Sequence, residues 1–549
     1  MDEIVGGGAD CNEDGAADLP GSAASPRNCA PGTAADYLNP DSDGDGITDR
    51  VERDDDTDGD GFLDRYELDS DGDGLLDSVE GIVDTDNDGL ANYRDPDSDD
   101  DGLTDDLEGM LGTNPLLADS DSDGSTDLIE YAAGTDPSSH ADNPQSNGDF
   151  VFIIPFEELP NPERDTLQFR TAIRAADLYF AFDTSTTMIQ EMDALRNPGS
   201  GVPAIIDSLR CPDTTTPCLT DDDCAVNQVC GPNTVCAEDP TLNGCLLDLW
   251  TGVGSWDHID TYQNLLSLQP TPAATAAAIP TAPNWWVAPI QAAACVAEPA
   301  NCTNTTTLNC AGTGIGCPGF RTDAVPIYVQ ITDANDECLC GTGTGGCDLA
   351  TGPARCALFT TAFASAELAR QGIRFIGLIG NGPAFGVGDA TTIAQEIGVA
   401  SGSVDAFGVP FVYSANDALV VSQTVQAVRD IVTSGLFGIT IAATDEPGDA
   451  GDALQFIDRL EVNMIDPGCT AGLSTADTDA DTFQDAFTGV RPGVPVCWDV
   501  VVRQNDFVAP QREPQIFRAR LTVSADGSEV DARTVYFLLP ADVTLPIYN

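Results

Sequence analysis

The sequence predicts a multidomain chain: an irregular loop-repeat stalk, an α/β unit built on a doubly wound parallel sheet, and an all-β sandwich. Three observations carry this reading. Between Asp41 and Glu130 one short acidic pattern recurs six times almost end to end. From about residue 175 to 435, apolar strand-like runs alternate with helical stretches, the signature of parallel pairing. Past about residue 435 the runs alternate apolar with polar residues and are separated by turn residues, as sandwich strands are.

The first repeat reads Asp41, Asp43, Asp45, Gly46, Asp49, Glu52, and the second Asp56, Asp58, Asp60, Gly61, Asp64, Glu67. The third is Asp69, Asp71, Asp73, Gly74, Asp77, Glu80. The fourth keeps Asp84, Asp86, Asp88 and Gly89 but sets Asn92 and Asp95 at its last two positions. The fifth (Asp97, Asp99, Asp101, Gly102, Asp105, Glu108) and sixth (Asp119, Asp121, Asp123, Gly124, Asp127, Glu130) return to the pattern. Ca²⁺ takes six to eight oxygens, and a 12-residue loop supplies them from positions 1, 3, 5, 7 (a carbonyl), 9 and 12, with Gly at 6 for the turn. A single Asp-rich run is more simply a solvated loop; six copies in register argue against that, and about six calcium sites are expected.

Loop starts at 41, 56, 69, 84, 97 and 119 advance by 15, 13, 15, 13 and 22 residues, which leaves no room for the paired helices of EF-hands. With Gly112-Thr-Asn-Pro and Gly134-Thr-Asp-Pro as punctuation, residues 41–137 resemble thrombospondin type 3 repeats and their bacterial relatives. That resemblance implies a string of calcium ions wrapped with little apolar core. Residues 1–150 hold 43 acidic side chains against 5 arginines, so burial cannot fold them and bound cations must offset the repulsion. The stalk is expected to be rigid with calcium and loosened without it.

The whole chain of 549 residues carries a net charge of −69, which argues against nucleic acid or an anionic membrane as partner. Eighteen cysteines point to an oxidising compartment, and millimolar calcium is an extracellular resource. No apolar run reaches the ~18–20 residues of a membrane span. Met1-Asp-Glu-Ile-Val has no basic or apolar leader character, so the expectation is a secreted or surface-displayed protein whose signal lies outside this sequence.

Residues 1–40 read as a Cys-containing acidic lead-in, with a partial loop at Asp10, Asn12, Asp14, Gly15 and Asp18 closed by a Cys11–Cys29 bridge. A polar linker (138–149) follows the repeats, and 150–174 supplies two strands. The segment 175–435 delivers Asp183, Ser185 and Thr187 after the run Asp177-Leu-Tyr-Phe-Ala-Phe, and Thr332 and Asp333 after Pro326-Ile-Tyr-Val-Gln-Ile. Ligands gather at the carboxyl ends of parallel strands. Two carboxylates with two hydroxyls suit Mg²⁺ (or Mn²⁺), which keeps a position open for a further ligand.

These residues resemble the von Willebrand factor type A domain in its integrin I-like form, whose metal-dependent adhesion site reads Asp-x-Ser-x-Ser. Asp183-Thr-Ser185-Thr-Thr187 fits with Thr in last place, and Asp333 fits the family's later Asp. Val253-Gly-Ser-Trp-Asp-His-Ile-Asp is also similar to integrin β-like chains. The resemblance implies that a partner protein's Asp or Glu completes the metal's coordination. The third ligand segment departs from the family, placing Asn284 and Val287 where carboxylates would sit; Thr281 is its candidate hydroxyl. A unit that keeps the fold but holds no metal is therefore the alternative.

Six cysteines from Cys211 to Cys245 and eight from Cys295 to Cys356 form disulfide-rich inserts (211–245, 295–356). Zinc at Cys338-Leu-Cys340 fails on ligand spacing and on a total of two histidines. In 436–549, Cys469 and Cys497 are the only cysteines and are expected to pair. Because strands also precede Asp183, the α/β unit reads as inserted into the sandwich, as the I-like domain is in integrin β chains. Asp477, Asp479, Asp481 and Asp485 repeat the calcium spacing without the Gly and final acid; a solvated loop is the simpler reading, a seventh site the alternative.

No His-Glu-x-x-His, Gly-x-Ser-x-Gly or Walker loop is present, so no enzyme is expected. The expectation is an extracellular adhesion protein, a calcium-stiffened stalk presenting a type A head. A spacer or assembly module of a surface or export complex, with a metal-free head, is the competing reading.

Overall fold

Nine successive residues from Ala175 to Asp183 form a strand buried almost throughout, and this strand is the centre of the α/β unit. The computed structural model describes residues 40–144, 150–218, 224–225, 227–256, 262–281, 289–302, 308–333, 360–380, 389–511 and 514–541. Outside them lie the expected Cys11–Cys29 bridge and partial loop, Asn284, Val287, His258, and Cys338, Cys340, Cys347 and Cys356.

In chain order, β1 (Phe150–Ile153) and β2 (Arg164–Phe169) precede the central strand β3 (Ala175–Asp183). A small sheet of β4 (Asp213–Pro217), β5 (Gln228–Cys230) and β6 (Val235–Glu238) follows. The main sheet continues with β7 (Asp248–Trp256), β8 (Gln263–Gln269), β9 (Val325–Thr332), β10 (Arg374–Ile379) and β11 (Val412–Ser414). Then come β12 (Phe437–Asp445), β13 (Ile457–Asn463), β14 (Ser474–Ala476), β15 (Ala486–Val490) and β16 (Val496–Val502). The hairpin β17 (Gln515–Ala525) and β18 (Ser528–Leu539) ends the described fold.

The α/β sheet runs β11-β10-β9-β3-β7-β8, parallel throughout except for the β7–β8 edge. Its order therefore reverses between β3 and β9, and such a switch point opens a crevice at the strands' carboxyl ends. Alternation along β3 divides the packing. Leu178, Phe180 and Phe182 join the core beneath helices Ile189–Arg196, Val202–Leu209, Pro272–Ala278 and Leu419–Ser434. Tyr179 and Ala181 face the opposite core, under helices Pro289–Ala297, Thr361–Arg370 and Ala390–Ala400.

Strands from before and after this unit pair with each other. β1 runs parallel to β18, and β2 antiparallel to β16. The result is two packed sheets, β1-β18-β17-β12-β15-β14 and β13-β16-β2, with the α/β unit inserted between their strands. Phe169 and Phe487 meet the Trp498 ring edge-on, and Phe152, Phe456, Phe517 and Phe537 fill the same core. Disulfides join Cys211–Cys245, Cys218–Cys230, Cys224–Cys236, Cys295–Cys302, Cys310–Cys317 and Cys469–Cys497.

The acidic segment buries little apolar surface: Ile47, Tyr93, Leu103, Leu128 and Ala132 are covered, while Leu76, Val79, Ile82, Val83 and Met110 are exposed. Single helical turns close the first four loops, and helices Asp105–Leu111 and Asp127–Ala133 close the last two. Gly112 and Gly134 end those two helices in left-handed conformation, which accounts for the Gly-Thr punctuation. Leu103, Leu128 and Ala132 pack on Leu538 of β18, flanked by Val151 and Ile153 of β1, so the last two repeats dock on the sandwich.

Gly102 sits at that seam. Its φ is +97°, and a Cβ there would stand 2.8 Å from Leu128 Cδ2 and 3.2 Å from Pro540 Cβ. Gly124 has φ +103° and nothing within 4 Å. Alanine at either position strains the backbone, but Gly102→Ala also overpacks the seam, by an added ~1–3 kcal/mol. Thermal unfolding in saturating calcium should show the larger shift for Gly102→Ala; equal shifts would mean that the seam contributes nothing.

Candidate metal centres

In all six loops the position 5 amide donates to the position 3 aspartate and the position 7 amide to the position 5 aspartate. In the first, Gly44 and Gly46 amides donate to Asp41, the Asp45 amide to Asp43, and the Ile47 amide to Asp45. Position 6 is a glycine at φ +97° to +108° in every loop, a conformation an L side chain resists. These bonds engage one face of each aspartate and leave the other facing inward. The buried oxygens without a partner are Asp43 Oδ2, Asp45 Oδ2, Asp71 Oδ2, Asp73 Oδ2, Asp99 Oδ2, Asp121 Oδ2 and Asp123 Oδ2, at positions 3 and 5. At position 12 both carboxylate oxygens of Glu52 and Glu80 are orphaned, with one each of Glu67, Glu108 and Glu130. Asp84 and Asp97 add one oxygen each at position 1.

Burying ionised carboxylates without partners is costly, and crowding them adds repulsion. Burial first, then neighbouring carboxylates, pushes Asp43 and Asp97 up to about 9, Glu52 to about 8, Glu108 to about 9 and Glu80 to about 10. A hard divalent cation at each convergence supplies the missing partner, so the donor set fits calcium.

At position 9 each side chain is also hydrogen-bonded within its own loop. Asp49 accepts the Ser42 amide (2.7 Å) and hydroxyl (2.9 Å), and Asp64 accepts both groups of Thr57 at 2.8 Å. Asp77, Asp105 and Asp127 take the same pair from Ser70, Ser98 and Ser120. Asn92 accepts the Thr85 amide at 3.1 Å. These bonds brace each side chain within its own loop. The Ser or Thr at position 2 of every loop was the sequence signal. The Glu108 and Glu130 carboxylates are oriented by the Thr113 and Thr135 hydroxyls of the Gly-Thr punctuation. His140, beyond the sixth loop, approaches Asp121 and Asp123.

The loop from Asp477 between β14 and β15 adopts the same scheme. Thr478 holds Asp485 by amide and hydroxyl, Ala480 and Thr482 amides donate to Asp477, and the Phe483 amide to Asp481. Thr482 stands in the glycine position at φ +86°. Asp477, Asp479 and Asp481 are exposed and Asp485 is half-buried.

At the switch point of the α/β sheet, β3 ends at Asp183, fully buried, and β9 leads into Asp333. Asp183 Oδ1 accepts the Ser185 amide (2.7 Å) and Oδ2 the Thr332 hydroxyl (2.8 Å). The Ser185 and Thr187 hydroxyls lie 2.9 Å apart, and Ser185 Oγ is 3.5 Å from Asp333 Oδ1. All four expected groups are thus together. Burial, with the Asp333 charge adding to it, raises Asp183 to about 7. Thr281 is exposed where its described stretch ends.

One group was missed. Glu191, in the first turn of helix Ile189–Arg196, is 4 % exposed, repelled by Asp333, and has Oε2 without a partner. The Asp417 amide donates to its Oε1 at 3.0 Å. Gly380, after β10, makes room: a Cβ there would lie 3.1 Å from Asp333 Cβ and 3.3 Å from Glu191 Oε1. Two buried acids, a third beside them and two hydroxyls fit a small divalent cation with an open coordination position.

Residues 41–55, 56–68 and 97–118 match the family model of the bacterial TSP3 repeat. No curated protein matches the chain. Among solved structures, a von Willebrand factor type A protein from Catenulispora acidiphila is 12% identical, with 72% of each chain covered and a TM-score of 0.30. The pilus adhesin SpaC of Lactobacillus rhamnosus GG is 11% identical over 68% of this chain and 46% of that one, with a TM-score of 0.27. Manganese-loaded TRAP protein of Plasmodium vivax is 11% identical over 59% and 96%, with a TM-score of 0.25. The acidic segment thus carries bacterial TSP3 repeats, and the doubly wound unit rests on its own strand order.

Proposed function

We propose that this chain is an extracellular adhesion protein in which calcium-filled loops stiffen a stalk and the α/β unit binds a partner through a metal. Asp183, Ser185, Thr187 and Asp333 hold Mg²⁺ or Mn²⁺, and an Asp or Glu side chain of the partner protein fills the open position. The observation that carries this reading is the convergence of buried, mutually repelling acids with two hydroxyls at the switch point. In the stalk, positions 1, 3, 5 and 12 contact the cation of their own loop, with the position 7 carbonyl. Asp49, Asp64, Asp77, Asn92, Asp105 and Asp127 brace their own loops from position 9. Six disulfides among the described residues support an oxidising, extracellular setting. No described helix is long and apolar enough to cross a membrane.

The test uses the full chain with its loops first saturated with calcium. Mn²⁺ is then added, and its water relaxation is followed as acetate, a carboxylate probe, is titrated in. The parent should bind one Mn²⁺ that Asp183→Ala loses, with acetate displacing water from the parent's ion. Mn²⁺ uptake indifferent to Asp183→Ala would leave the head a metal-free structural module.

A further inference from the structure

The loops do not only stand in line; some share space with loops distant in sequence. One carboxylate oxygen each of Asp45, Glu52 and Asp77 lie within 4.8 Å of one another. Asp45 and Glu52 belong to the first loop and Asp77 to the third. Ca²⁺–oxygen distances of about 2.3–2.6 Å place ligands up to roughly 5 Å apart, so these three oxygens fit one coordination sphere. Glu52 is completely buried with both oxygens unpartnered, and Asp45 Oδ2 is unpartnered as well. Asp77 is held by the Ser70 amide (2.7 Å) and hydroxyl (2.6 Å), one bond to each oxygen, which leaves a lone pair on each.

The fifth and sixth loops also touch their neighbours. A Cβ on Gly109, in the helix that closes the fifth loop, would lie 3.9 Å from Leu75 Cδ2 of the third. Asp101 Oδ2 of the fifth loop accepts the amide of Leu128, the residue after Asp127 of the sixth, at 3.0 Å. The second and fourth loops are joined differently. Position 9 of the fourth is the neutral Asn92, and Arg94 reaches back to Asp55, Asp64 and the Thr57 hydroxyl.

We propose that Asp77, the position 9 aspartate of the third loop, supplies an oxygen to the cation of the first, so that these two sites form one coupled pair. The proposal rests on the reading of the loops as calcium sites. Ser70, at position 2, then has a second role: it aims Asp77 across to the first loop. A third loop ordered by its own cation presents Asp77 correctly, and binding there favours binding in the first.

The amides of Gly46 and Gly74, both at position 6, report the first and third loops separately in an isotope-labelled full chain titrated with calcium. Asp77→Asn should raise the calcium midpoint read at Gly46 by at least about tenfold, since a charge is lost beside a divalent cation. Coupling between sites is reciprocal, so Glu52→Gln in the first loop should move the Gly74 midpoint. A Gly46 midpoint untouched by Asp77→Asn overturns the pair. So does an unmoved Gly74 in Glu52→Gln, even where Asp77→Asn disrupts its own loop. A parent chain in which neither glycine responds to calcium overturns the calcium reading itself, a different failure.

Discussion

Chelating calcium from the full chain at pH 7.5 is expected to open the segment 41–133 to proteases while the sandwich and the α/β unit stay protected. The segment covers five apolar side chains, Ile47, Tyr93, Leu103, Leu128 and Ala132, against the fully buried carboxylates of Glu52, Glu108 and Glu130. An ionised carboxylate buried without a partner costs several kcal/mol, so at neutral pH the metal-free segment must take up protons or unfold. Free calcium at about 100 times the Kd contributes about 2.7 kcal/mol per occupied loop, and the loops together exceed what so small a core can supply. The first four loops should be cut soonest, because the last two keep their apolar contact with Leu538. Unchanged protection in chelator would sink this account.

The pH dependence has a defined sign. A carboxyl whose folded pKa is raised holds more protons folded than unfolded, so metal-free stability falls as pH rises between the two values. For Glu52, Glu108 and Glu80 the window opens near 4.5 and closes at about 8, 9 and 10. In chelator the segment should therefore be more protected at pH 4 than at pH 8. Calcium needs the ionised form, so its addition at pH 6 should release protons, an effect that fades above pH 9. A lightly buffered titration with an indicator dye reads this directly.

The loops were legible because ligand type, spacing and the position 6 glycine recur together; no other common loop needs all three. Position 9, expected as a ligand from the EF-hand template, also accepts bonds from Ser42, Thr57 and their counterparts, a brace that the template does not encode. Asp183 and Asp333 were legible as strand ends of buried runs. Glu191 was not, since an acid in a helix's first turn ordinarily faces water. Its burial is imposed by Asp417 and Gly380, which arrive from distant parts of the chain. The insertion could be inferred from strands on both sides of Asp183. The partners could not: β1 with β18 and β2 with β16 are non-local pairings that local alternation does not encode. The Asp477 loop read as solvated because it lacks the glycine and the final acid; Asp477, Asp479 and Asp481 are exposed, and Thr482 takes up the same positive φ as the loop glycines.

Arg374→Met is expected to loosen the α/β unit from the sandwich that carries it. Arg374 opens β10 at the sheet end opposite the acid cluster, and it is 6 % exposed. Its guanidinium donates to the carbonyls of Gly402 and Leu436 at 2.7 Å each, pairs with Asp526 in the β17–β18 turn, and lies 4.1 Å over the Phe437 ring. Burial lowers its pKa to about 10, so it remains charged at neutral pH. Methionine fills much of the volume but leaves two carbonyls and the Asp526 carboxylate without the cation. Breaking a buried pair this way costs about 3–5 kcal/mol, and the lower end applies because Asp526 is partly exposed and keeps the Gly438 amide. Arg370→Met, which removes surface pairs with Glu298 and Glu367, should be nearly silent. Urea unfolding in calcium compares the two, and equal midpoints would mean that Arg374 does not clamp the unit. If the clamp holds, a force applied to the α/β unit is transmitted through Arg374 and Asp526 into β17 and β18, and so to the seam at Leu538 where the last two repeats dock.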